Sequence, residues 1–164
     1  LPNRAAFFSH LNRAIASVKR RPTRPFAVMF IDLDHFKNIN DTLGHIAADE
    51  VLGVIARRLE ECVRAEDIVA RLGGDEFVIL LPRINGVLEA TEAADRIGAE
   101  MIKPIRVGSN EVYATVSVGI VLGSPHYDSA EQILGDADKA MYTAKAEGRG
   151  RSTVFKDVLA VREP

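Results

Sequence analysis

The chain has a single cysteine, Cys62, among its 164 residues, so no disulfide can form within it. A reducing, cytoplasmic setting fits that count. Net charge is also nearly missing: 21 basic residues face 23 acidic ones, leaving −2. Such a balance gives no general attraction to a nucleic-acid polymer or an anionic membrane. Any chemistry on phosphates must use local features. Long apolar runs are absent as well. "FAVMFI" and "FVILL" fall far short of the ~20 residues a membrane helix needs. No signal peptide, repeat, low-complexity tract or internal linker is visible. What the chain does have is 47% hydrophobic residues, enough for a sizeable core.

Helical and strand patterns alternate, which predicts one mixed α and β domain. Phe7, Leu11, Ile15 and Val18 recur at helical spacing behind Asn3, a candidate cap. "PFAVMFIDL" reads as a buried central strand, and "DHFKNINDTLGH" as a polar loop. Val51, Ile55, Leu59 and Cys62 form the apolar face of a second helix, with Cys62 a core thiol. "DIVARLGGDEFVILLP" holds two strand-like runs around a glycine pair, a β-hairpin pattern. Leu88, Thr91, Ala94, Ile97 and Met101 predict a third helix, and "EVYATVSVGIVL" a single strand. Ser129 and Gln132 suggest a capped helix with Ile133, Ala137, Ala140, Met141 and Ala144 inward and Gly148 as terminator. "RSTVF" predicts a last strand.

Two acidic places stand out. Gly73 and Gly74 admit positive φ and close approach of another molecule, and Asp75 and Glu76 follow them. Alone, such a segment also describes a tight turn tipped with solvated acids. Asp32 and Asp34 lie at the carboxyl end of the first strand, where open sheets commonly bind ligands. A strand-end aspartate also serves as a simple turn cap. Taken together, Asp32 and Asp75 could meet if their strands are neighbours, with Asp34 and Glu76 as accessory or competing acids. Carboxylates brought together repel, and a hard cation such as Mg²⁺ gives the pairing a reason. Lys145 and Arg149 would share a helix face if the helix reaches that far, and are otherwise a solvated pair. The four histidines are not clustered and read as structural or surface residues.

"GGDEF" at 73–77, "FIDLDHFKNINDTLGH", "VSVGI", "DKAMYTAKAEGR" and the opening "LPNR" occur in order along almost the whole chain. In these five motifs the chain resembles the GGDEF domain, the catalytic module of diguanylate cyclases. The resemblance implies an α+β, ferredoxin-like nucleotidyl-cyclase palm: a mostly antiparallel central sheet flanked by helices, with a β-hairpin carrying GGDEF. It implies a single domain over 1–164, cytoplasmic and cut from a longer signalling protein that can itself be membrane-anchored. The implied reaction condenses two GTP into cyclic di-GMP and two pyrophosphates across a transient homodimer. Two Mg²⁺ per half-site are implied, with Mn²⁺ as a substitute.

By the same resemblance Asp32, the Leu33 carbonyl and Asp75 bind metal, and Glu76 helps activate the attacking hydroxyl. Phe36, Lys37, Gly73, Gly74, Lys145 and Arg149 contact the nucleotide, and Asn40 and Asp49 read guanine, whose N1–H and N2–H suit a carboxylate. Arg64 and Asp67 match the RxxD site where cyclic di-GMP inhibits, with Arg96 as a second grip from another domain. One departure is Ala48, where the family usually has glycine; an added methyl there would crowd the base or alter the backbone. The alternative function is a catalytically weak module that binds GTP or cyclic di-GMP and regulates a neighbouring domain. A protein-interaction domain without nucleotide is the third reading, and the retained signature acids argue against it.

Overall fold

The structure, a computed structural model, describes residues 1–156. Its elements in chain order are α1 (Arg4–Arg20), β1 (Ala27–Leu33), α2 (Phe36–Cys62), β2 (Ile68–Gly73), β3 (Glu76–Leu81), α3 (Val87–Met101), β4 (Ile105–Val107), β5 (Asn110–Val112), β6 (Val116–Leu122), α4 (Ala130–Ala146) and β7 (Ser152–Val154). The main sheet has the order β2-β3-β1-β6-β7. Every pairing in it is antiparallel except β6 with β7. With the small β4–β5 hairpin set aside, the stretch from β1 to β6 runs βαββαβ, the ferredoxin-like plan, with α1 before it and α4 and β7 after it. No helix among the described residues is long and apolar enough to cross a membrane.

β1 lies at the centre, and all seven of its residues are buried. Strand alternation explains how one strand serves two cores. Ala27, Met29, Ile31 and Leu33 enter the core beneath α2 and α3. Val28 and Phe30 enter the opposite core beneath α1 and α4, with Phe7, Leu11, Ile133 and Met141. Each fully buried large side chain contributes about 1.5–3 kcal/mol of transfer free energy, so both cores are needed to keep the sheet covered. Two of the expected caps form: Asn3 accepts from the Ala6 amide at 2.8 Å, and Ser129 accepts from Gln132 at 3.2 Å.

Three expectations are corrected. "DHFKNINDTLGH" is helical from Phe36 onward; Phe36, Ile39 and Leu43 recur at helical spacing and pack against the core. The helix breaks at Gly44, whose φ of 84° and ψ of 170° interrupt it. "EVYATVSVGIVL" is two strands in two sheets, β5 and β6, and β4 was not anticipated. On α3 the inward face is Ala90, Ala93, Ala94, Ile97 and Met101, while Leu88 is 67% exposed and Thr91 only half-buried. Small alanines carry this face, so the larger Leu88 misled the periodicity. Cys62 is also only half-buried at the end of α2.

Gly119, in the middle of β6, sets how closely α4 approaches the sheet. A Cβ built there would lie 2.0 Å from the Ala137 carbonyl oxygen and 2.3 Å from the Met141 amide nitrogen. Both atoms are helix backbone and cannot turn aside. Gly119→Ala is therefore expected to destabilise the fold by about 3 kcal/mol, at the top of the usual cost of overpacking. Chemical denaturation of the variant against the wild type checks this.

Candidate active site

The carboxyl end of β1 meets the β2–β3 turn. Asp32 is paired across the sheet with Glu76, and the Leu33 amide donates to the Asp75 carbonyl at 3.3 Å. The turn is sharp: Gly73 and Gly74 have φ of 156° and 51°, values that favour glycine. A Cβ on either would meet nothing within 4 Å, so the backbone faces open space. Arg71 Nε donates to the Gly74 carbonyl at 2.8 Å and steadies the turn from behind.

Strand parity places Asp32 on the α4 side, where Lys145 Nζ reaches its Oδ2 at 2.6 Å. The other oxygen, Oδ1, is buried without a partner. Burial pushes the Asp32 carboxyl up to about 6; the Lys145 bond opposes this, and the adjoining Asp75 carboxylate adds to it. Glu76 is also raised, first by burial, then by the charges of Asp138 and Asp75, with Lys145 opposing. Asp138 was missed by sequence reasoning. It stands seven residues before Lys145, two turns along one face of α4, and that spacing was its signal.

This donor set fits a hard cation. Two neighbouring carboxylates, one carrying a buried oxygen that lacks any donor, suit Mg²⁺, which takes few protein ligands and leaves the rest to water and phosphate. Among the described residues no three acidic, histidine or cysteine side chains form a complete cage. Leu33 has its side chain buried in the opposite core, so only its backbone can serve the site.

The start of α2 borders the same end of β1. His35, in the left-handed region at φ 58°, turns the chain into the helix. Phe36 is half-buried against the core and Lys37 is exposed in the first turn, on a helix rather than in the expected loop. Asn40 Oδ1 is a second buried acceptor without a partner. Asp49 is exposed on the far side of the Gly44 break. Ala48 lies in regular helix and is 2% exposed, so its methyl packs into the protein and the backbone needs no glycine.

Two expectations change here. α4 ends at Ala146, so Lys145 and Arg149 do not share a helix face. Arg149 sits in the following turn, itself left-handed at φ 64°. Asp34 is no competing metal acid. It is 4% exposed, and its oxygens accept from Thr115 Oγ1, Ser117 Oγ and the Gly150 amide at 2.5, 2.7 and 3.0 Å.

Residues 1–151 match the family model described as "Diguanylate cyclase, GGDEF domain". The chain belongs to the GGDEF family. It is 46% identical over 151 residues to diguanylate cyclase TpbB of Pseudomonas aeruginosa PAO1. That match covers 92% of this chain and 34% of TpbB, so the chain spans about a third of that relative's length. The crystal structure of the GGDEF domain of TpbB (YfiN) superposes with a TM-score of 0.91 at 44% identity, covering 96% of this chain and 98% of that one. The GGDEF domain of DgcB from Caulobacter crescentus, solved with cyclic di-GMP, superposes with a TM-score of 0.88 at 30% identity, covering 96% and 90%.

In this GGDEF domain the RxxD residues lie away from the acids, in a cleft lined by Arg64, Asp67, Arg83, Glu89 and Arg96. Asp67 Oδ2 accepts from the Arg64 amide at 2.8 Å, and burial raises the Asp67 carboxyl. Arg96, on α3, also lines this cleft. Arg64 Nη2 is engaged by Glu89 Oε1 at 2.6 Å. Glu89 is itself fixed by the Asn85 amide and side chain at 2.8 and 3.0 Å.

The raised Asp32 carboxyl has a stability consequence. Between 3.8 and about 6 the folded chain keeps a proton that the unfolded chain releases. Ionised Asp32 therefore subtracts stability as pH rises through that window. In metal-free buffer, Asp32→Asn is expected to gain on the wild type by about 2 kcal/mol between about pH 4 and about pH 7. Denaturation of both proteins across that range checks the sign.

Proposed function

We propose that this domain condenses two GTP into cyclic di-GMP, releasing two pyrophosphates. The observation that carries the reading is the Asp32–Asp75 pair beneath a glycine turn, with Asp32 Oδ1 buried and without a donor. Asp32, Asp75 and the Leu33 carbonyl would hold the cations. Bound there, Mg²⁺ would favour the attacking 3′-hydroxyl and take up charge on the leaving pyrophosphate. Gly73 and Gly74 admit the nucleotide to the turn. Lys145, now on Asp32, and Arg149 would take the triphosphate, with Lys37 and Phe36 on the α2 side. Asn40, with its unpaired Oδ1, and Asp49 would accept from guanine. Glu76, whose carboxyl is raised, would help activate the 3′-hydroxyl by taking up its proton.

Each domain carries one GTP, and the product has two-fold symmetry. Two domains must face each other, each completing the other's site. The rival reading, a module that binds nucleotide without turnover, would be favoured by loss of the acids, and Asp32, Asp75 and Glu76 are all present. Incubation with GTP and Mg²⁺, followed by identification of the product, decides between them. Asp75→Asn keeps the size of the side chain and removes the charge. Turnover is expected to fall by roughly two orders of magnitude or more with folding intact. A melting shift on adding GTP without product would instead establish the binding module.

Product inhibition at Arg64, Asp67 and Arg96 is part of the same proposal. Glu89 already occupies Arg64, so cyclic di-GMP must displace a carboxylate to reach it. Glu89→Gln is expected to tighten product binding about fivefold, the scale of one partly exposed ion pair. Arg64→Ala should abolish binding there. Calorimetry with cyclic di-GMP measures both.

A further inference from the structure

The buried carboxylate that the metal site does not use has a place in the same machinery. Residues 147–151 form a tight turn in which Gly148, Arg149 and Gly150 all have positive φ, at 119°, 64° and 58°. For Arg149 this is a strained conformation. Such a residue keeps its backbone only where its surroundings fix it. Besides the Gly148 amide on the Lys145 carbonyl and Arg151 Nε on the Arg149 carbonyl, both at 3.3 Å, three further bonds do so. The Arg149 amide donates to the Ala144 carbonyl at 3.1 Å, tying the turn back to α4. The Val118 amide donates to the Arg151 carbonyl at 2.9 Å, tying its far end to β6. Between them the Gly150 amide donates to Asp34 Oδ2 at 3.0 Å.

Asp34 is well suited to that third role. Its Oδ2 also accepts from Thr115 Oγ1, its Oδ1 accepts from Ser117 Oγ, and its own amide donates to the Thr115 carbonyl at 2.9 Å. The carboxylate is thus locked before it meets Gly150. A charged acceptor in a buried place makes the bond to that amide strong. We propose that Asp34 is a positioning residue, holding the 148–150 turn so that Arg149 is presented to the outer phosphates of the nucleotide. This rests on the reading of Arg149 as a triphosphate ligand. Asp34 touches no substrate; it acts through Gly150 on the neighbouring arginine.

The test uses calorimetry with Mg²⁺ and two probes, a non-hydrolysable α,β-methylene analogue of GTP, and GMP, which lacks the outer phosphates. Arg149→Ala and Asp34→Ala are each expected to weaken the analogue about tenfold and to leave GMP within about twofold, the scale of losing one charge-assisted contact. The double variant should be no weaker than the worse single one, because both remove the same contact. Asp34→Asn should restore most of the loss, since its amide oxygen can accept from Gly150 while the hydroxyls of Thr115 and Ser117 turn to suit. Should Asp34→Ala fail to fold, Thr115→Val, which frees the same oxygen from its hydroxyl clamp, should weaken the analogue about threefold and spare GMP. An unchanged analogue affinity in a folded Asp34→Ala protein, equal loss of GMP, or losses that multiply in the double variant would overturn the proposal. An Arg149→Ala variant that binds the analogue normally would overturn the reading of Arg149 beneath it, and that outcome is separable from the others.

Discussion

β1 is covered on both faces, and this constraint governs everything at its carboxyl end. A strand buried on two sides assigns each residue to one core or the other by parity alone. Asp32 has the parity of Val28 and Phe30, so it is delivered to the α4 side, under Lys145. Leu33 has the opposite parity and leaves only its backbone for the site. Asp34 falls just past the strand and is taken up by hydroxyls and an amide. Two aspartates two residues apart thus have different chemistry. One is short of donors and crowded by another acid, and the other is saturated.

The crowding at Asp32 follows from bringing an acid at a strand end against an acid in a hairpin. Asp75 adjoins Asp32, Glu76 lies across the strand from it and feels Asp138 and Asp75 in turn, and Lys145 is the cation bonded to it. A folded protein tolerates this because the surrounding cores over-determine the backbone. Hairpin register pairs Asp32 with Glu76, and the Leu33–Asp75 bond brings the turn alongside. The packing of α4 onto Gly119 keeps the helix that carries Lys145 close to the sheet. Hydrophobic burial thereby supports an arrangement that electrostatics alone would push apart.

Much of this was legible in the sequence where a pattern had one physical meaning. The α1 face, the buried β1 run and the glycine hairpin follow from periodicity and turn chemistry. The juxtaposition of Asp32 and Asp75 needed only that their strands be neighbours, which the sheet order provides. The misses have specific causes. Polar residues around Phe36, Ile39 and Leu43 hid a helix whose inward face is only partly buried. Thr115 ends one sheet's neighbourhood and begins another's, and no local propensity marks that division. Asp34 and Asp138 could not be told apart from metal ligands or surface acids without knowing what lies across from them. The spacing of Lys145 and Arg149 left their shared face conditional on helix length, and the chain leaves the helix between the two residues.

The break in α2 has a mechanical meaning. Asn40 and Asp49, both proposed to accept from guanine, stand on opposite sides of the break at Gly44. The gap between them works like the jaws of a calliper, set by the torsions of one residue. Under that proposal, the fit of a base depends on the torsions of Gly44 as well as on the two polar side chains.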